Sequence, residues 1–142
     1  MKQLALCDID GCLLDCMHRL DLIMTGDFET GWEDDTVLPA GFKIYSHLLQ
    51  DPEVQVVFNT ARPERNRATT QKALSSLFPK ATWQLWMRPD NDKTPDEEMK
   101  VAQLFKHGYK PDNVLVVFDD RNIICEAFRS LGVTAYQTAT GY

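Results

Sequence analysis

Four short stretches carry residues that could do chemistry together. LALCDIDG sets Asp8, Asp10 and Gly11 at the end of an apolar run. FNTAR sets Asn59, Thr60, Ala61 and Arg62 behind a second run, and VVFDDR sets Asp119, Asp120 and Arg121 behind a later one. PDEEMK carries Asp96 and Lys100 four apart, on one face of a helix. Each stretch alone reads as a solvated turn or a minor surface ion pair. Gathered at one place, four carboxylates would repel and take up protons unless a cation sat among them. Oxygen ligands favour Mg²⁺, which keeps waters and commonly shares one or two carboxylates with a substrate phosphate. A threonine hydroxyl and a lysine would suit the other phosphoryl oxygens. One aspartate could attack phosphorus while a second handles the leaving-group proton. The chemistry expected is Mg²⁺-assisted phosphoryl transfer through an aspartyl-phosphate.

Such residues must be delivered by elements that end side by side. Five apolar segments read as buried strands: 4–8, 54–59, 82–87, 114–119 and 133–137. Runs such as VQVVF and VLVVF suit strands covered on both faces, as in a parallel sheet. Between them lie helical patterns at 40–50, 67–78, 95–108 and 121–132. The third opens with Pro95 and acidic residues and closes at Gly108. Alternation of strand and helix predicts an α/β fold of βαβ units, with helices on both faces of a five-stranded, mainly parallel sheet. In such sheets ligands bind at the carboxyl ends of the strands, where the four stretches fall. Residues 15–38 break the alternation and are expected to form a loop or small flap.

The 142 residues are expected to form one domain, 1–142, with an ordinary 44% apolar and 25% charged composition. The net charge of −6 argues against a broad nucleic-acid-binding surface, though not against a local basic patch. Cys7, Cys12, Cys16 and Cys125 show no zinc-ligand spacing and read as buried thiols. No run is long enough to span a membrane and MKQLAL leads straight into a strand, so a cytoplasmic location is expected.

The order DxDG, a hydroxyl residue after the second strand, a lysine, then DD after a later strand resembles the haloacid dehalogenase (HAD) superfamily of phosphohydrolases. The resemblance implies a three-layer, Rossmann-like fold with a minimal cap. It implies Asp8 as nucleophile and Asp10 as general acid/base, with Thr60 and Lys100 on the phosphate. Mg²⁺ would lie on Asp8, the Asp10 backbone carbonyl, Asp119 and Asp120. Cys12 departs from the family, which usually has Thr or Val there.

Within that superfamily the chain is similar to the phosphatase half of the phage polynucleotide kinase/3′-phosphatases. Arg19 lies eleven residues after Asp8; Thr60-Ala61-Arg62 forms the expected trio. Arg88 ends the third strand, with Asp96 eight and Lys100 twelve residues on. DDR is followed by a helix and the run Arg129 to Val133, and the chain closes on QTATGY. The similarity implies a 3′-phosphatase of nucleic-acid ends or nucleotides, serving nucleic-acid repair, with Gly11, Arg19, Ala61, Arg62, Arg88 and Asp96 around the substrate. A separate kinase or ligase is a possible partner, since these residues contain no G-x4-G-K-[ST] motif. Oligomeric state stays open.

Several alternatives remain. A small-molecule phosphatase acting on nucleotides or sugar phosphates uses the same groups. A phospho-accepting receiver domain does not fit, because its phosphorylated Asp ends the third strand, where this chain has WMR. Lys93 rivals Lys100; Lys100 is preferred for its place on a helix beside Asp96. Of the cluster Arg62, Arg65 and Arg67, Arg62 is the first choice for a substrate contact. His18 falls near the site mouth and His107 suits a helix end. Trp32 could stack on a base or pack the flap, while Trp83 and Trp86 belong in the core.

Overall fold

The computed structural model describes residues 2–140. Its strands are β1 (Gln3–Cys7), β2 (Leu14–Asp15), β3 (Thr36–Val37), β4 (Val54–Pro63), β5 (Gln84–Arg88), β6 (Val114–Asp119) and β7 (Ala135–Gln137). Its α-helices are α1 (Leu20–Met24), α2 (Pro39–Gln50), α3 (Arg67–Leu77), α4 (Asp96–Lys106) and α5 (Asn122–Arg129). Five strands form a sheet in the order β5-β4-β1-β6-β7, and every neighbouring pair is parallel.

Alternation along the strands sorts the core into two layers. Ala5 and Cys7 face one side with Val56, Phe58, Leu85 and Met87, and are covered by Tyr45 of α2 and Leu74 of α3. Leu4 and Leu6 face the other side with Val57 and Trp86, under Leu104 of α4 and Phe128 of α5. Both faces are buried, which is why the strands read as continuous apolar runs. In β6 the phase changes: Val114 packs on the second layer and Val116 on the first. The ladder shifts register between Leu4 and Ala5, so Leu115 is squeezed out and stands 41% exposed.

The helices follow their local signals. Pro39 occupies the first turn of α2, and Asp96, Glu97 and Glu98 fill the first turn of α4. His107 caps α4; its Nδ1 lies 2.8 Å from the Gln103 carbonyl and its ring stacks on Trp86.

Two expectations are corrected in detail. The second strand does not stop at Asn59 but continues to Pro63, with an irregular ladder against β5 between Thr60 and Pro63. Residues 15–38 are more ordered than a loop: β2 and β3 pair antiparallel, Leu14 with Val37 and Asp15 with Thr36, pinching the base of the excursion shut. Helix α1 lies within the excursion, between β2 and β3 in the chain. No helix among the described residues is long and apolar enough to cross a membrane.

Candidate active site

Register brings the chemistry together. Cys7 is level with Phe58 on one side and Phe118 on the other. The next residues, Asp8, Asn59 and Asp119, therefore stand at the same height at this edge of the sheet. Neighbours β4 and β6 lie on opposite sides of β1, and this is the point where a doubly wound sheet opens a crevice. A cleft of about 680 Å³ opens there, lined by Asp8, Asp10, Thr60, Lys100, Asp120 and the flap helix α1, among others.

Lys100 is the buried cation of the floor. Its Nζ donates to Asp8 Oδ1 at 3.0 Å and to Asp119 Oδ2 at 2.7 Å. The helix that carries it is tied to the sheet by Asn59 Nδ2, which donates to the Lys100 carbonyl at 3.2 Å. Burial alone would lower the lysine pKa, but the Asp119 and Asp8 carboxylates outweigh it and raise it, so the ammonium stays charged. Lys93 is exposed on the cleft wall. Of the two lysines, Lys100 is the one within reach of Asp8.

Three carboxylates face this one ammonium. Burial, then the Asp119 charge, raise Asp8 well above the ordinary carboxyl range despite Lys100. Burial and Asp119 raise Asp120 as well, against an opposing hydrogen bond to Asp8. Ionised together, the three would leave an excess of two negative charges, the number a divalent cation cancels. Asp8, Cys12 and Asp120 offer ligand atoms within 4.8 Å of one another. The Cys12 thiol is pushed up, chiefly by burial and then by Asp8, and so stays protonated and a poor metal ligand. What remains is a hard oxygen site on Asp8 and Asp120, which fits Mg²⁺. Gly11 makes the space: a Cβ there would overlap the Asp120 carboxylate, and its φ of +85° favours glycine.

Two members of the expected metal set have their carboxylate oxygens already engaged by donors. Asp119 Oδ2 accepts from Lys100 and Oδ1 from the Arg121 backbone N–H at 3.1 Å. The Asp10 carboxylate is gripped by Arg62, Nε to Oδ2 at 2.9 Å and Nη2 to Oδ1 at 2.6 Å.

The arginines expected around the substrate also divide. Arg62 is 1% exposed and does not reach the cleft wall; its guanidinium is enclosed by Asp10 and Thr70. Arg19 is equally buried, forking onto Asp35 at 2.6 Å through Nε and Nη2. Both hold acids in place instead of facing solvent, each through a two-point, charge-assisted fork onto a carboxylate. Arg88 does line the cleft, but its Nη1 donates to the Asp92 and Thr94 carbonyls and its Nη2 pairs with Asp96. Asp96 does not orient Lys100 as its spacing suggested; its oxygens meet Arg88 and Arg121. Ala61 lies on the wall between Thr60 and Pro63. Arg65, 53% exposed in its side chain, and Arg121 are the cleft arginines that the first choice of Arg62 passed over.

Further residues of the site carry weaker signals in the sequence. Tyr45 donates its buried hydroxyl to the Asp8 carbonyl at 2.9 Å, fixing the main chain behind the carboxylate. Gly41 lets α2 sit against the Cys12 carbonyl, where a Cβ would overlap it. A glycine inside a helical pattern is itself a sign of close packing. Trp32 packs under Lys72, 5.8 Å from its Nζ, and His18 bonds the Gly31 carbonyl within the flap. Neither lines the cleft. The similarity of the closing residues extends to Gly141 and Tyr142, which lie outside the described residues.

Comparison with known proteins agrees with this fold. Two chains of the Pnkp1/Rnl/Hen1 complex, one of them from the form named as an RNA repair complex, superpose with a TM-score of 0.79. They are 20% and 21% identical to this chain, which covers 99% of itself in both and only 47% and 43% of theirs. This chain thus spans less than half the length of those relatives. The haloacid dehalogenase-like hydrolase SP0104 of Streptococcus pneumoniae superposes with TM-score 0.64 at 11% identity, over 96% of this chain and 84% of its own. The HAD enzyme BT-2542 of Bacteroides thetaiotaomicron, solved as a magnesium complex, gives 0.59 at 13% identity, over 99% and 95%. Sequence comparison with curated proteins gives no match. The family model for the polynucleotide kinase PNKP phosphatase domain matches residues 2–142, the whole span over which strand ends, lysine and acidic pair were traced, and the chain is therefore a member of that family of HAD phosphatases.

Proposed function

We propose that the chain is a Mg²⁺-dependent phosphomonoesterase that removes 3′-phosphates from polynucleotide ends or nucleotides. The observation that carries this reading is the convergence of Asp8, Lys100 and Asp120 on the floor of one cleft, with Asp119 behind Lys100 and with Thr60 and Asp10 beside them.

Asp8 supplies the nucleophile. An Asp8 oxygen forms a bond to phosphorus as the ester P–O bond breaks, giving an aspartyl-phosphate and a leaving alkoxide. Asp10 gives its proton to that oxygen, then takes one from the water that cleaves the aspartyl-phosphate, releasing inorganic phosphate and restoring Asp8. Lys100 keeps Asp8 aimed and offers positive charge to the phosphoryl oxygens. Thr60 Oγ1 accepts the Arg62 backbone N–H at 3.1 Å, which leaves its own O–H to donate to the phosphate. Mg²⁺ held by Asp8 and Asp120, with the Asp10 carbonyl and Asp119 completing the site, would cancel the remaining charge on the carboxylates and phosphoryl group.

Two features favour a nucleotide over a sugar phosphate. Helix α1 reads LDLIM and buries none of its residues, yet Leu20, Ile23 and Met24 line the cleft with Phe28, an apolar wall suited to a nucleobase. Arg65, Lys93 and Arg121 stand around the same cleft, placed for neighbouring phosphates. The likeness to chains of an RNA repair complex supports a nucleic-acid end and a chain that works beside separate repair enzymes.

The test is phosphate release with and without Mg²⁺ from 3′- and 5′-phosphorylated oligonucleotides, 3′-nucleotides and sugar phosphates. The expected result is Mg²⁺-dependent turnover, strongest on the 3′-phosphorylated substrates. Preference for a non-nucleotide ester would replace this reading with a small-molecule phosphatase.

A further inference from the structure

We infer that Asp35, a flap residue that does not line the cleft, is a positioning residue for the proton-transfer step, acting on Asp10 through Arg62. The inference rests on the reading of Asp10 as proton carrier.

Asp35 lies just before β3, and its side chain is only 4% exposed. It accepts the Arg19 fork at 2.6 Å through both oxygens. Its Oδ2 also lies 3.8 Å from Arg62 Nη2, the nitrogen that donates to Asp10 Oδ1 at 2.6 Å. Arg19, Asp35, Arg62 and Asp10 therefore alternate in charge from the flap to the edge of the cleft. Arg19 adds a bond from Nη1 to the carbonyl of Phe28, which lines the cleft.

Stability alone is a weak reason for such a chain. Apolar residues of similar volume serve stability at least as well as buried ion pairs, whose desolvation cost offsets their attraction. Orientation is a better one. A guanidinium is planar, and Arg62 is approached on three sides by Asp10, by Thr70 Oγ1 at 3.3 Å and by Asp35. Restraining that plane restrains the carboxylate forked onto it, and a proton carrier has to be held within about 0.5 Å of its productive position. Without the Asp35 charge, Arg62 loses one restraint and faces Arg19 directly. The seating of the flap is thereby coupled to the aim of Asp10.

A merely structural Asp35 and a positioning Asp35 differ in how a variant treats leaving groups. An alkoxide leaving from a ribose needs the Asp10 proton; p-nitrophenolate does not. kcat/KM isolates the steps up to leaving-group departure, so it is compared for a nucleoside 3′-monophosphate and for p-nitrophenyl phosphate. Asp35→Asn is expected to lose about 10²-fold on the nucleotide and to stay within about threefold on the p-nitrophenyl ester. Equal losses on both esters, or no loss on either, would overturn the inference. Circular dichroism and the thermal midpoint show whether Asp35→Asn folds. If it does not, Asp35→Glu, which keeps the charge but displaces the carboxylate, is judged by the same ratio. Asp10→Ala is the control: if that variant fails to discriminate between the esters, the role given to Asp10 is wrong, whatever Asp35 does.

Discussion

Lys100 Nζ stands 3.0 Å from Asp8 Oδ1 although 92 positions separate them in the chain. The ammonium also reaches Asp119, so one buried cation joins the ends of β1 and β6 from helix α4. Replacing Lys100 with Met leaves two buried carboxylates without their counter-charge. We expect such a chain to lose about 3–5 kcal/mol of stability in denaturant titrations and essentially all phosphate release. Lys93→Ala, at an exposed position, should keep both within small factors. Comparable turnover by the two variants would move the phosphate-site role away from Lys100.

The acidic floor should make the metal-free protein sensitive to pH. Asp8 and Asp120 hold protons more tightly in the fold than in the unfolded chain. Between the ordinary carboxyl range and their raised values the folded state therefore binds more protons, and stability falls as pH rises through that window. Below that window both states are protonated and none of this stability is lost; above it the loss is complete. Mg²⁺ should flatten this slope, stabilise the fold by about 2.7 kcal/mol at a hundredfold excess over its Kd, and so raise the thermal midpoint near neutral pH. Asp120→Asn should raise the metal-free midpoint and lose the response to Mg²⁺. Thermal scans across pH with and without Mg²⁺ check both; a midpoint indifferent to Mg²⁺ would argue against the site.

Gly11 is held by its neighbour Asp120 as much as by its own backbone. Gly11→Ala adds a Cβ where the Asp120 carboxylate lies, at a φ of +85°. The left-handed conformation alone costs about 1–2 kcal/mol for an L side chain. The displaced carboxylate should weaken Mg²⁺ binding in addition, seen as a raised Mg²⁺ requirement in phosphatase assays. A variant with unaltered Mg²⁺ dependence would show that the two residues are not coupled.

Arg62 and Arg65 are three apart and should behave differently. Arg62→Lys cannot reproduce the two-point grip on Asp10, so its loss should appear in kcat, on the order of 10²-fold. Arg65→Ala should chiefly raise KM for 3′-phosphorylated oligonucleotides and flatten the salt dependence of kcat/KM, as expected when a phosphate contact is removed. Steady-state kinetics at two or more salt concentrations separate the roles. Similar kcat losses in both variants would contradict the assignment of one to the interior and the other to the cleft.

The sequence by itself determined the layered α/β scheme, because strands covered on both faces must be apolar throughout and helices between them must be periodic. It also put Asp8, Thr60 and the Asp119/Asp120 pair at one edge of the sheet, since residues at carboxyl ends of adjacent parallel strands converge however the rest packs, whereas Lys100 arrives from helix α4. Only the tertiary structure decided what each charge faces. Arg19 and Arg62 look like exposed phosphate contacts in sequence, but an arginine's partner depends on which carboxylate the fold brings within a few ångströms. Here these are Asp35 from the flap and Asp10 from the β1 end. Asp96 and Lys100 share a helix face, yet each finds stronger partners on other elements, so the local pairing suggested by their spacing does not form. Tyr45 and Gly41 had no visible role until α2 was packed against the back of the DIDGC turn. Spacing sets what a chain can bring to one edge of a sheet; burial and the competition among nearby charges set which of those groups meet.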